Sequence, residues 1–170
     1  GAPILGIVTR QRPGQEDDYT QINALAEQQR QKGWNIRHII LGTGEVGQRD
    51  LIDAVDITGT KELIYSDDID VLTRSIGECT ALVSMKFHGS VVATMYGVPS
   101  TVLIPTNKNR NFMKRIGRDD LMSRYSDTSL CERFAENPPA PISDESVKML
   151  RSRAQDMLHK LINEIEKSVS

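Results

Sequence analysis

The sequence predicts an α/β fold, a Rossmann-like open parallel sheet of at least five strands with helices on both faces. Short apolar runs, typical of buried strands, alternate along the chain with longer segments whose apolar residues recur every three or four positions. Such strict βαβα alternation favours parallel strands with helices packed against the sheet. A length of 170 residues suits one such domain with its own core.

Five short apolar segments are predicted to form the strands. Each is bounded by glycine, proline or polar residues, which end a strand. The run Ala81-Leu82-Val83 has the continuous apolar character of a strand buried on both faces. In chain order the predicted strands cover residues 4–9, 34–41, 62–65, 81–83 and 100–104.

Helices are predicted between the strands from their apolar stripes and their ends. The first carries Ile22, Leu25 and Ala26 on one face. Ser66 is a natural N-cap for the helix that starts at Asp67. Residues 42–47 are interpreted as a loop because turn residues dominate them. The predicted helices cover residues 18–32, 50–57, 67–77, a segment with His88 in its first turn that carries Val91, Val92, Ala93 and Met95, and 109–116.

Two parts of the chain differ in composition. Residues 1–137 form the predicted Rossmann-like domain. Residues 137–141 read Asn-Pro-Pro-Ala-Pro, a stiff linker that a helix cannot cross. Residues 138–170 therefore comprise this linker and a long amphipathic helix that starts near Ser143.

Charge and cysteine content exclude several classes of function. The net charge is −2 and the pI about 5.9, which argues against nucleic acid as a partner. No apolar run approaches the roughly 18 residues of a membrane span, although peripheral association stays open. Cys79 and Cys131 lie far apart without a CxxC motif, which predicts free thiols and a cytoplasmic location. No metal-ligand spacing is visible, so no metal is expected.

The most informative segment is the junction after the fourth predicted strand. It places Lys86 and His88 where a strand ends and a helix begins, with Gly89 and Ser90 in the first turn. In open α/β sheets ligands bind outside the carboxyl ends of the strands. A helix N-terminus adds unpaired N–H groups and partial positive charge. These residues predict a pocket for an anion, and the place of His88 at the junction favours a functional role over a structural one.

Two further cations are expected at the same edge. Arg10 follows the first predicted strand and Lys108 follows the fifth. Together with Lys86 they favour an anionic ligand. The other histidines are interpreted differently: His38 lies inside an apolar strand and is structural, and His159 lies off the stripe of the last helix and is solvated.

Two other motifs admit a second interpretation. Residues 42–47 match G-x-G-x-x-G, and Asp67 follows 20 residues after the last glycine, as in a dinucleotide site. Since a full βα unit precedes this motif, we expect no dinucleotide there. The acidic residues Asp67, Asp68 and Asp70 could ligate a metal, but acidic residues also stabilise the first turn of a helix without a ligand.

The junction resembles a known family, the polysaccharide pyruvyl transferases, in their C-terminal half. The family most often has arginine where this chain has Lys86, in an Arg-x-His pattern. The likeness extends more loosely over residues 4 to about 130, including the Arg10 loop. It rests on residues 79–89, on Tyr96-Gly97-Val98-Pro99, on Lys108 and on Asn111-Phe112.

The resemblance implies an enzyme with two Rossmann-like halves, as in GT-B glycosyltransferases, and an active site in the cleft between them. Such enzymes move a pyruvyl group from phosphoenolpyruvate to a sugar of a cell-surface or exopolysaccharide and form a pyruvate ketal. This chain is then the C-terminal half, an N-terminal half is missing, and the final helix packs on this domain or reaches toward that half. The donor is a substrate and no cofactor is required. His88 is implied as the catalytic residue, and the donor-binding residues are Arg10, Lys86, Gly89, Ser90 and Lys108.

Three alternatives remain open. Half of a GT-B glycosyltransferase or nucleotide-sugar epimerase would use the same helix N-terminus for a nucleotide diphosphate. A non-catalytic interaction domain of the same fold is favoured by lysine at position 86. A dinucleotide-dependent oxidoreductase would use the glycine motif.

Overall fold

A computed structural model gives the fold of the chain and describes residues 1–10, 19–42, 44–103, 107–118, 122, 128–136 and 145. Strands and helices alternate along these residues. In chain order the elements are β1 (Ile4–Val8), α1 (Thr20–Gln31), β2 (Asn35–Ile39), α2 (Gly44–Ile52), a 3-10 helix (Asp53–Asp56), β3 (Glu62–Ile64), α3 (Ile69–Gly77), β4 (Ala81–Ser84), α4 (Phe87–Met95), β5 (Ser100–Val102), α5 (Asn107–Arg115) and α6 (Leu130–Glu136).

The five strands form one parallel sheet in the order β3-β2-β1-β4-β5. The central strand is β1, whose Leu5 pairs with Ile36 on one side and with Ala81 on the other. The chain runs outward from β1 to β3 and then returns to build β4 and β5 on the other side. The predicted fold class is therefore confirmed, and the carboxyl ends of β1 and β4 flank the topological switch point, where ligands bind in such sheets.

Each face of the sheet is covered by helices whose apolar stripes supply a core. Helices α1 and α6 pack on one face, and α3 and α4 pack on the other. Burial of these apolar side chains is the main force that holds the layers together. Fully buried members include Leu5, Ile7, Ile22 and Leu25 on the first face and Val8, Ile39, Leu72 and Leu82 on the second.

The helix after β2 starts earlier than the sequence predicts. Residues 44–47 were expected to be a loop, but α2 begins at Gly44. Gly47 serves close packing, because a Cβ there would lie 2.6 Å from the Gly42 carbonyl oxygen, whereas Gly44 has space around it and a positive φ of 58°, which favours glycine. The glycine spacing therefore has a structural explanation that needs no ligand.

Helix α3 starts at Ile69, two residues later than expected. Its N-cap is Asp68, whose Oδ1 accepts a hydrogen bond from the Asp70 amide at 3.0 Å. The predicted cap, Ser66, instead accepts a hydrogen bond from the Asp68 amide at 3.0 Å. The interpretation of these acidic residues as helix-start residues is confirmed for Asp68 and Asp70.

Several smaller expectations differ in outcome. Helix α5 begins at Asn107, two residues before the predicted start, and α6 was not predicted.

Both cysteines are free thiols, as predicted. The proline linker 137–141, His159 and nearly all of the long final helix lie outside the described residues. Within the part of the chain that the structure describes, no helix has the length and apolarity that crossing a membrane requires.

Candidate functional site

The end of β1 is fixed by two hydrogen bonds. The backbone carbonyl of Arg10 accepts a hydrogen bond from the buried Tyr19 hydroxyl at 2.8 Å. The Thr9 hydroxyl lies 2.7 Å from Nε2 of His38 on the neighbouring strand β2. Arg10 is half-buried, so its position at the carboxyl edge is constrained while part of it remains exposed.

The turn from β4 into α4 is pinned by the Ser84 hydroxyl. Its Oγ accepts a hydrogen bond from the Lys86 amide at 3.1 Å and donates one to the Lys86 carbonyl at 2.7 Å. Lys86 occupies the N-cap of α4 with extended backbone, φ −114° and ψ 135°. A Cβ on Gly89 would lie 2.4 Å from Ser84 Oγ. Helix α4 therefore approaches the strand end more closely than a larger residue at position 89 allows.

We expect Gly89→Ala to lower the free energy of unfolding by about 1–3 kcal/mol, since the added methyl group overpacks a buried site. Urea unfolding of the purified chain measures the loss. The double variant Gly89→Ala/Ser84→Ala removes the hydroxyl that the methyl group would meet, so its loss should be smaller than the sum of the two single losses. Strict additivity would contradict the close approach.

His88 lies in the first turn of α4, as predicted. Its side chain is 2% exposed, and its ring meets the Phe87 ring edge-on, with centroids 5.9 Å apart. The helix start therefore holds an imidazole in a packed environment at the carboxyl edge. An imidazole packed in this way is restricted to few orientations.

The Lys86 side chain has a different environment from the one expected. Its ammonium is buried and forms an ion pair with the buried carboxylate of Asp50 on α2. It also donates a hydrogen bond to the Leu41 carbonyl at 2.9 Å. Because β1 lies between β2 and β4, this side chain crosses the carboxyl end of β1. The sequence predicted a cation open to an anion, and the structure shows a cation already engaged by the protein.

Burial and neighbouring charges act on Lys86 in opposite directions. Burial lowers its pKa, the Asp50 carboxylate opposes that change, and the nearby cations Arg10 and Arg49 add to the lowering. Arg49 lies on α2 beside Asp50 and is exposed. Since Asp50 compensates Lys86, the excess positive charge at this edge comes from the two arginines.

The remaining predicted site residues are distributed as follows. Ser90 is buried, and its hydroxyl lies 3.3 Å from the Ser100 hydroxyl on β5, so its side chain serves the helix–sheet contact. Gly89 serves the close approach of α4 to Ser84. The backbone amides of both residues lie in the first turn of α4. Lys108 lies in α5, and its side chain is outside the described part of the structure.

Sequence reasoning missed Asp50 and Arg49. It placed Asp50 at the start of a predicted helix and assigned neither residue a role in a site. A lone aspartate on a short polar helix carries no motif, and its partner lies 36 positions away. One signal was available: Asp50 precedes Leu51 and Ile52 on a predicted helix close to the carboxyl end of the second strand.

His38 is buried, as expected for a structural histidine. Its Nε2 contacts the Thr9 hydroxyl, whereas its Nδ1 has no hydrogen-bond partner among the described residues. Burial, aided by the Lys61 ammonium, lowers the pKa of His38 to about 3. The folded protein therefore holds this ring neutral at all but strongly acidic pH.

This depressed pKa predicts acid sensitivity. Between pH 6.5 and 3 the unfolded chain binds a proton at His38 and the folded chain does not, so stability falls as the pH falls. From pH 7.5 to pH 5.0 the loss attributable to this ring is about 2 kcal/mol. Urea unfolding at both pH values measures it. His38→Gln, which cannot titrate, should show a smaller loss, and an equal loss in both proteins would contradict the assignment.

Within the described residues, no group of three or more histidine, cysteine, aspartate or glutamate side chains is arranged to hold a metal ion.

Comparison with known proteins gives two kinds of result. The chain is similar to the solved glycosyltransferase SnogD from Streptomyces nogalater, with 12% identity and a TM-score of 0.48 over 97% of this chain and 41% of that one. It is similar to a variant of the O-GlcNAc transferase of Thermobaculum terrenum, with 16% identity and a TM-score of 0.48 over 99% of this chain and 33% of that one. The chain thus spans less than half the length of these structures.

No curated protein matches the chain. The sequence pattern of the family described as polysaccharide pyruvyl transferase matches residues 4–107. The matched segment runs from the first residue of β1 to the first residue of α5, so it contains the whole sheet together with Arg10, Asp50, Lys86 and His88. Since the match covers more than half of the chain, this protein belongs to the polysaccharide pyruvyl transferase family.

Proposed function

We propose that this chain forms the donor-binding half of an enzyme that transfers a pyruvyl group from phosphoenolpyruvate to a saccharide. The observation that carries the proposal is the place of His88. It lies within the family match, in the first turn of α4, beside the switch point of the sheet. A proton-transfer group at that place suits a reaction in which an anionic donor is protonated.

The donor is a small anion with a carboxylate and a phosphate. Arg10, half-buried at the end of β1, offers a guanidinium that binds either group through two parallel hydrogen bonds. The amides of Gly89 and Ser90 in the first turn of α4 offer a second anion position. The family resemblance adds Lys108, a residue of α5, as a further donor-binding residue. We assign Lys86 no direct contact with the donor, because Asp50 and the Leu41 carbonyl already engage its ammonium.

The reaction needs two proton movements. The methylene carbon of phosphoenolpyruvate gains a proton and becomes a methyl group, while a sugar hydroxyl loses its proton and bonds to the central carbon. The bond from that carbon to the phosphate oxygen breaks, a second hydroxyl closes the ketal, and its proton leaves with the phosphate. In this proposal His88 protonates the methylene carbon or accepts the hydroxyl proton.

The proposal requires a second wall to hold the saccharide, because both reactants must be held in register. We therefore propose an N-terminal half that completes the cleft, with the reaction in the cytoplasm, where the two free thiols are expected to persist. The acceptor is a unit of a cell-surface or exopolysaccharide.

Turnover assays test the proposal. The 170-residue chain alone should release no phosphate from phosphoenolpyruvate in the presence of saccharide acceptors. The two-half enzyme should release phosphate and produce the methyl signal of a ketal in the proton NMR spectrum. Turnover by the chain alone would contradict the two-half arrangement, and a two-half enzyme that consumes a nucleotide sugar instead of phosphoenolpyruvate would overturn the proposed donor.

A further inference from the structure

The buried ion pair between Asp50 and Lys86 joins two elements that are distant in sequence. The side chains are 5% and 3% exposed, respectively, so both charges are removed from water. Removing one partner of such a pair leaves an uncompensated buried charge, which is strongly unfavourable. The pair therefore holds α2 and the start of α4 in a defined relation across the end of β1.

Among the side chains of α2 that the structure describes, no apolar one is fully buried. Leu51 is half-buried, and Ile52, the last residue of the helix, is 72% exposed. Val55 in the 3-10 helix that follows is 80% exposed. Asp50, at 4% exposed, is thus more deeply buried than the apolar side chains described on this helix.

The lysine of this ion pair is also the residue that caps the start of α4. Lys86 is the N-cap, His88 follows two positions later, and Ser84 binds the Lys86 backbone through both its amide and its carbonyl. The Lys86 backbone is therefore held by Ser84 at the end of β4, and the Lys86 side chain is held by Asp50 on α2. A change at Asp50 reaches the His88 ring through Lys86 and Phe87.

We propose that Asp50 is a positioning residue of the donor site, which acts through Lys86 to set the start of α4 and with it the place of the His88 imidazole. The expected effect on the kinetics rests on the proposed function. The placement of the His88 ring can be measured without any activity. The charges around Lys86 support this inference. With Asp50 neutral, the buried Lys86 ammonium would have two cations near it, Arg10 and Arg49, and no counter-charge from Asp50. It would then either lose its proton or move from its buried position.

The test compares Asp50→Asn with Glu45→Gln, which removes the same charge from an exposed position on the same helix. The chain has three histidines, so imidazole NMR signals can be assigned individually at pH 7.5. Asp50→Asn should shift the His88 ring signals and leave those of His38 in place. Glu45→Gln should change the ring signals of neither histidine. Asp50→Glu, which keeps the negative charge, should shift the His88 signals less than Asp50→Asn does.

In the two-half enzyme, Asp50→Asn should lower kcat by about tenfold or more, since small displacements of a reacting group are costly, and change KM for phosphoenolpyruvate by less than about threefold. If Asp50→Asn does not fold, Asp50→Asn/Lys86→Met supplies a neutral pair of similar size. A folded variant of either kind with unshifted His88 signals would overturn the inference. If the wild-type two-half enzyme shows no turnover, the proposed function is wrong. The positioning role of Asp50 is still tested in that case, because the His88 ring shifts are measured without turnover.

Discussion

Replacing His88 with alanine should lower kcat for pyruvyl transfer by roughly 10²–10⁴-fold in the two-half enzyme, because the change removes the proposed proton-transfer group. The binding of phosphoenolpyruvate should change much less, since Arg10 and the amides of α4 remain. Steady-state kinetics with varied phosphoenolpyruvate separates the two effects. His88→Gln, which keeps a polar side chain but cannot exchange a proton near neutral pH, should show a similar loss in kcat.

The matched control for this prediction is His38→Gln. His38 is another buried histidine of the same domain, but it contacts Thr9 and not the start of α4. Its replacement should lower the melting temperature while the folded protein keeps its kcat. If His88→Ala behaves in the same way, with a lower melting temperature and wild-type turnover, then His88 is structural and the catalytic assignment is wrong.

Replacing Lys86 with alanine should lower the free energy of unfolding by about 3–5 kcal/mol, because Asp50 would be left buried without its counter-charge. Urea unfolding at pH 7.5 measures the loss. Arg74→Ala serves as the control: this exposed arginine on α3 donates only to the Asp70 carbonyl among the described residues, and its loss should be within about 0.5 kcal/mol.

The double variant Lys86→Met/Asp50→Asn separates charge from packing. It removes both charges together, so it should recover most of the stability that Lys86→Ala loses. A Lys86→Ala protein as stable as the wild type would contradict the buried ion pair. A double variant no more stable than Lys86→Ala would show that packing of the lysine stem, not charge, holds the junction.

The order and type of the elements were predictable because they follow from local patterns. The apolar runs of β1 to β5 and the stripe of α1 each have a periodicity that one conformation satisfies. The places where prediction failed involve residues whose role depends on contacts that no periodic pattern shows. Gly44 and Gly47 were interpreted as loop residues because glycine is common in turns, yet Gly47 is required by the approach of the Gly42 carbonyl.

The candidate site was predictable only in part. The place of His88 followed from a motif at a strand–helix junction, and the fold then puts it at the switch point. The environment of Lys86 did not follow, because its partners, Asp50 and the Leu41 carbonyl, come from the β2–α2 segment. The strand order β2-β1-β4 brings Lys86 close to Asp50 and Leu41. The sequence alone does not determine on which side of β1 the strands β2 and β4 lie.

The most direct test of the donor site is a titration of the isotope-labelled 170-residue chain with phosphoenolpyruvate, followed by NMR. The account predicts saturable shifts of the His88 ring, the Arg10 guanidinium and the amides of Gly89 and Ser90, with weaker responses to phosphate or pyruvate alone. The glycine segment 42–47 should not show a saturable response to nicotinamide or flavin dinucleotides. Saturable shifts confined to residues away from the β1 and β4 ends, or no saturable response to phosphoenolpyruvate, would contradict a donor site built around His88.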